Sequence, residues 1–173
     1  MRATADQDAR YLAAAAEHGA AMVRLASATE ANAERRRDLL QEMHVALWRS
    51  FASFDGRCSL RTWVYRVAHN VAASHVDRER RTHRGAVTLD EIEQMPDAAN
   101  IPVELEQSEA IARLHALIRQ LKPADRQIIT LYLEELDAAA IAEITGLSPG
   151  AVATRISRLK SHLTAKFHEP AHV

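Results

Sequence analysis

Cysteine occurs once in this 173-residue chain, glycine and proline five times each, and aromatic residues make up only 5% of it. The lone Cys58 excludes an intramolecular disulfide and a zinc site built on cysteines. Scarce glycine and proline leave few turns, and with abundant Ala, Leu, Arg and Glu the composition favours helix. No apolar run approaches the roughly 18 to 20 residues that span a bilayer. The N-terminal stretch carries Asp6, Asp8 and Glu17 where a signal peptide needs a basic start and an apolar core, so the expectation is a cytoplasmic protein without membrane insertion.

Net charge is also lacking, at −1, and taken alone that argues against a nucleic-acid binder. Its distribution argues the other way. From Arg57 to Arg84 there are seven arginines against Asp77 and Glu79, and Leu147 to His168 holds Arg155, Arg158, Lys160 and Lys166 with no acid. Between Gly85 and Ala112 lie seven acids and no base. Two basic modules are joined by an acidic connector.

Apolar periodicity predicts helices over Tyr11 to Ala28 and Asp38 to Phe54, the second with Leu39, Leu40, Met43, Leu47 and Phe51 on one stripe. Ser59 is positioned to cap a third helix, in which Leu60, Trp63, Val64, Val67, Ala68 and Val71 recur at three- and four-residue spacing. That spacing leaves Arg61, Tyr65, Arg66, His69 and Asn70 on other faces. Gly85, Pro96, Asn100 and Pro102 then break the period, which reads as a linker over residues 82–102 between domains at 5–81 and 103–168. Four further helices are expected at about Val103 to Gln120, Pro123 to Glu134, Asp137 to Thr145 and Pro149 to Phe167. The fold class is all-α, with two small helical domains and a flexible acidic linker.

The last two helices form a tight helix-turn-helix. Gly146 permits a positive φ, Ser148 caps the following helix and Pro149 occupies its first position. With Val152, Ile156, Leu159 and Leu163 turned to the core, Gly150, Ala151, Thr154, Arg155 and Arg158 face outward. A helix N-terminus favours phosphate, and arginines pair with phosphates or guanine edges, so this helix is expected to read a DNA groove. In "FDGRCSLRTWVYRVAHN", Phe54 to Asn70, aromatics are interleaved with Arg57, Arg61 and Arg66, the chemistry of single-strand capture. Trp63 lies on the apolar stripe and is assigned to packing, leaving Arg61, Tyr65 and Arg66 for contact.

"DLLQE" at Asp38 to Glu42, "ALWRSFASFD" leading into "LRTWVYRVAHN", and the stretch from Leu121 to Lys160 together resemble the two domains of bacterial sigma factors of the extracytoplasmic-function group. The resemblance covers about Tyr11 to Arg81 and Val103 to Leu163. It implies a promoter-specificity subunit that binds core RNA polymerase and promoter DNA, has no catalytic residues, metal or cofactor, and is controlled by an anti-sigma factor. By position, Asp38, Gln41, Glu42 and Arg49 match the polymerase-docking segment. The loop from Asp55 through Arg57 to Ser59 matches the segment that captures a flipped minus-ten base, and Arg61, Tyr65, Arg66, His69 and Asn70 lie on the helix after it. Ser148, Pro149, Gly150, Ala151, Thr154, Arg155 and Arg158 match the helix that reads the minus-thirty-five element. Ala151 and Ala153 stand where the family often has Thr and Lys, which implies weaker affinity for that element or an unusual preference. Asp137 and Ala138 replace a frequent Ser-Tyr pair and leave the helix cap to Asp137. His44 stands where an aromatic is common.

Two other functional classes fit these residues less well. A free-standing helix-turn-helix regulator accounts for the second domain but not for the single-strand features of the first. An enzyme is disfavoured because His44, His69, His75, His83 and His115 are dispersed and no phosphate loop, nucleophile elbow or carboxylate pair is present.

Overall fold

A computed structural model describes residues 2–83 and 103–168. All regular structure among them is helical: α1 (Arg2–Thr29), α2 (Ala33–Ser50), α3 (Leu60–His83), α4 (Val103–Arg119), α5 (Pro123–Leu133), α6 (Ala138–Thr145) and α7 (Pro149–His168). The expected connector lies outside the described residues, except that Thr82 and His83 continue α3.

Helices α1 and α2 both begin earlier than apolar period suggests. In α2 the cause is visible. Asn32 caps it, its Oδ1 accepting from the Glu34 and Arg35 N–H groups at 3.0 Å each, and the first turns carry only Ala, Glu and Arg. A cap followed by polar turns leaves no apolar signal to read. The helix also ends sooner, at Ser50, and Phe51 folds back as its C-cap into the core.

Leu39, Met43 and Leu47 recur at four-residue spacing and are fully buried against Met22, Ala26, Phe51, Val64 and Ala68. Each such side chain withdrawn from water contributes about 1.5–3 kcal/mol, which makes this stripe the anchor of the α1–α2–α3 bundle. A polar knot closes one end of it. The buried Glu30 carboxylate accepts from the Asn32 N–H at 2.7 Å, meets His75 Nε2 at 3.0 Å and takes Arg35 Nε at 3.2 Å. Burial by itself raises this carboxyl's pKa, but the hydrogen bonds from Asn32, His75 and Arg35 outweigh it and hold Glu30 below the ordinary value.

The second core gathers Ile118, Ile128, Leu131, Ile141, Val152 and Leu163 from α4 to α7. It is not closed by those helices alone, because Ala21 and Ala28 of α1 and Tyr65 of α3 belong to the same buried cluster. The two helical sets therefore pack on each other, α1 along α4 and α3 against α5 and α6.

Where α5 ends, the Glu135 N–H donates to the Tyr132 carbonyl at 2.9 Å and the Leu136 N–H to the Leu131 carbonyl at 3.3 Å. This is a Schellman closure, which requires a left-handed residue, and Glu135 supplies it at φ 62°. A side chain in that region costs about 1–2 kcal/mol, partly offset by the greater entropy glycine loses on folding. Glu135→Gly is expected to stabilise the protein by about 0.5–1 kcal/mol. Equilibrium urea unfolding reads the change, and a loss of stability would show that the Glu135 side chain makes a stabilising contact outweighing its strain.

Candidate nucleic-acid interface

The α6–α7 hairpin is built as its sequence suggests. Asp137 Oδ1 caps α6 through the Ala140 N–H at 2.8 Å. Gly146, at φ 75°, ends the helix by donating its N–H to the Ala142 carbonyl at 2.9 Å. Ser148 Oγ then accepts from the Ala151 N–H at 3.2 Å and opens α7. Val152, Ile156, Leu159 and Leu163 are buried, so Ser148, Pro149, Gly150, Ala151, Thr154 and Arg158 lie together on the solvent face. Arg155 is partly covered and pairs with Asp125 at 3.6 Å. The Thr154 hydroxyl donates to the Gly150 carbonyl at 3.0 Å, which leaves its methyl and oxygen lone pairs outward. The Gly150 N–H in the first turn of α7 and the exposed Arg158 guanidinium further along the helix make a surface suited to a phosphate backbone and base edges.

The second basic segment is less open. Asp55, Arg57 and Ser59 are exposed in the loop before α3, where Gly56 takes φ 74°. The Arg57 N–H and side chain both return to Asp55, at 3.1 and 2.9 Å. Ser59 is the expected cap, accepting from the Thr62 N–H at 3.0 Å. Trp63 packs on Phe54, and its Nε1 donates to Ser50 Oγ at 2.9 Å, in line with its assignment to packing.

Tyr65 and His69, expected on an open face, are buried, because that side of α3 is covered by the second helical set. Burial and the neighbouring Glu134 charge raise the Tyr65 pKa, and burial pushes His69 down to about 3. Arg61 donates through Nη2 to the Glu134 carbonyl and lies over the Tyr65 ring. Arg66 reaches the Glu143 carbonyl at 3.4 Å and its carboxylate at 3.6 Å. Asn70 is exposed but belongs elsewhere: it lines a groove with Asp38, Gln41, Glu42 and Arg49 of α2, floored by Val45, Ala46 and Val71. Glu42 is bound there by Arg78 at 2.7 Å. This groove combines acids, an amide and an apolar floor, a surface suited to a protein partner.

Sequence reading passed over Arg24 and Glu134, which join the two helical sets through a bidentate pair with both contacts at 2.6 Å. They lie 110 residues apart, each in an unremarkable helical context, so no motif or period marks them. Among the described residues no three His, Cys, Asp or Glu side chains are grouped to hold a metal, and no helix is long and apolar enough to cross a membrane.

Known proteins match in the same two places. The Sigma-70 region 2 family profile matches residues 15–82, and that of Sigma-70 region 4 matches residues 111–163. The RNA polymerase sigma-H factor of Pseudomonas aeruginosa is 30% identical over 142 residues, covering 75% of this chain and 71% of its own length. The ECF RNA polymerase sigma factor SigG of Mycobacterium tuberculosis is 28% identical over 149 residues, and there the chain spans 40% of the relative. A solved sigma factor RpoE from Bartonella quintana, in complex with the anti-sigma factor NepR, superposes with a TM-score of 0.65 at 17% identity, covering 90% of this chain and 96% of that one. At that identity the likeness speaks for the fold alone.

Proposed function

The chain belongs to the extracytoplasmic-function group of the sigma-70 family, and from that premise we propose how its surfaces divide the work of promoter-specific initiation. As an alternative sigma factor it binds core RNA polymerase and promoter DNA. Residues 5–81 form the unit that docks through Asp38, Gln41, Glu42 and Arg49 and engages the melted minus-ten strand through Asp55, Arg57, Ser59 and the outer face of α3. Residues 103–168 form the unit that reads the minus-thirty-five duplex through Ser148 to Arg158. The protein acts in the cytoplasm without catalysis of its own, and an anti-sigma factor, the kind of partner bound in the Bartonella complex, holds it in check.

The observation that carries this reading is the two-sided character of α7. Four apolar side chains fix it from behind, and its N-terminal face is left to solvent with Arg158 on it. A surface held so rigidly suits base-edge recognition, where each well-placed arginine contact discriminates by about 1–3 kcal/mol. Arg158→Ala is expected to lower initiation at cognate promoters by roughly tenfold or more. Gln41→Ala combined with Glu42→Ala is expected to weaken assembly with core and leave duplex binding intact.

The test is in vitro transcription on a random promoter library with core polymerase, with and without the protein, beside a gel shift of the protein alone. Initiation only when both are present supports the assignment. Tight specific binding by the protein alone, with no effect on core, would instead make it a free-standing regulator.

A further inference from the structure

Space remains in the seam between the two helical sets. Protein interiors hold few voids larger than a water molecule. Here Leu25 and Thr29 of α1, Ala72 and Val76 of α3 and Pro123 and Gln127 of α5 surround a cavity of about 250 Å³. A second cavity, of about 180 Å³, lies beside it, and Leu25, His69 and Thr130 line both. An apolar cavity of about 150 Å³ is already large enough for benzene. Drug-sized ligands fill roughly 300–1,000 Å³, so the molecule that fits the larger cavity is small.

Two polar side chains in its wall keep bonding capacity that the protein does not use. His69 is only 4% exposed, yet it makes no hydrogen bond among the described residues. Burial keeps its imidazole neutral, with one N–H to donate and one lone pair to accept. Arg126 is anchored by Nη2, which donates to the Arg119 carbonyl at 2.6 Å and the Leu121 carbonyl at 3.4 Å, while its Nε is buried without an acceptor. No carboxylate among the described residues pairs with Arg126. Burial lowers its pKa, and the Arg119 and Arg80 charges lower it further. The hydroxyls of Thr29 and Thr130 in the same wall are, by contrast, engaged by the Leu25 and Arg126 carbonyls at 2.8 Å each. A guanidinium without a counter-charge, an imidazole without a partner and apolar walls together suit a molecule with oxygens at one end and hydrocarbon at the other.

We propose that this cavity binds a small organic carboxylate, its apolar body against Leu25, Ala72 and Val76 and its oxygens paired with the Arg126 guanidinium and the His69 N–H. A single negative charge matches the single unpaired guanidinium, whereas a phosphate would carry a second charge into apolar surroundings. The walls come from α1, α3 and α5, so the occupant touches both helical sets, and by mass action it stabilises the folded protein.

The probe is phenylacetate, titrated into the full chain at matched ionic strength and followed by calorimetry and by the thermal unfolding midpoint. Saturable binding with a rising midpoint is expected, and the His69 ring-nitrogen resonances should move with the same saturation. Arg126→Gln, which removes the charge, should weaken binding by about tenfold or more. Ala124→Phe, at an exposed position of the cavity wall on α5, should abolish binding at unchanged helicity by filling the space. Phenylacetamide, which lacks the charge, and inorganic phosphate, which lacks the apolar body, should each bind about tenfold more weakly or worse. Equal binding of phenylacetamide would overturn the anion, and equal binding of phosphate the apolar seat. Absence of saturation by phenylacetate, benzoate and 4-methylpentanoate at millimolar concentration, or binding that survives both substitutions, would overturn the site itself. These readouts need neither polymerase nor promoter, so they stand apart from the functional reading.

Discussion

Replacing Leu47 with Ala is expected to remove about 3 kcal/mol of stability, within the range of roughly 2.7–5 kcal/mol for emptied leucine sites. Leu47 has no exposed surface and sits in a cluster with Met43, Phe51, Met22 and Val64. Removing its side chain loses the transfer energy of the buried carbons and leaves a cavity that three crossing helices cannot fill by relaxing. A single domain holds only about 5–15 kcal/mol in total, so this one change consumes a large part of it. Val45, two residues away on the same helix, supplies the internal control. It is 48% exposed in the groove proposed above for docking, so Val45→Ala should alter stability by no more than about 0.5 kcal/mol yet weaken assembly with core polymerase. Urea unfolding followed by far-ultraviolet circular dichroism measures both, and a loss under about 1 kcal/mol for Leu47→Ala would mean that the bundle repacks around the gap.

Acidification should destabilise the protein, with His69 the largest single contributor. In the unfolded chain its imidazole takes up a proton near pH 6.5, whereas in the folded protein burial delays this to about 3. Between those values the unfolded state binds more protons, so the stability present above pH 6.5 is lost as the pH falls, at about 1.4 kcal/mol per unit. At pH 5 the loss from this group is about 2 kcal/mol. His18, His44 and His115 are displaced downward as well, chiefly by burial, and add in the same direction. Glu30, held low by its hydrogen bonds, extends the trend as its own carboxylate is protonated at more acid pH. Unfolding free energies measured from pH 7.5 to 5 should slope downward in the parent and less steeply in His69→Leu. Equal slopes would mean that His69 is protonated in the folded state.

Much of this architecture can be read from the chain itself, and the reasons are local. A helix cap, a left-handed glycine and a period of three to four residues act within a turn or two, so Ser59, Asp137, Gly146 and Ser148 announce their roles without knowledge of anything distant. The same holds for the α7 face, because burial of Val152, Ile156, Leu159 and Leu163 dictates what remains outside. Polar first turns are the blind spot. The start of α2 at Ala33, with Arg35, Arg36 and Arg37 following, offers no apolar residue by which a period could find it.

What the sequence alone determined was an all-helical chain with two basic modules, a tight helix-turn-helix hairpin and a helical segment that exposes acids and an amide at Asp38, Gln41 and Glu42, together with the family to which those motifs belong. Only the tertiary structure decided which faces of α3 meet solvent. Tyr65 and His69 are polar enough to sit outside and large enough to pack inside, and local pattern does not choose between these. The choice was made by Ile118, Leu131 and Leu136, which approach from a helical set far along the chain, and by Glu134, whose partner Arg24 is 110 residues away. Such contacts form because apolar area and charge are buried together once the chain has closed on itself, an energy that belongs to the pair of surfaces and to neither stretch of sequence alone.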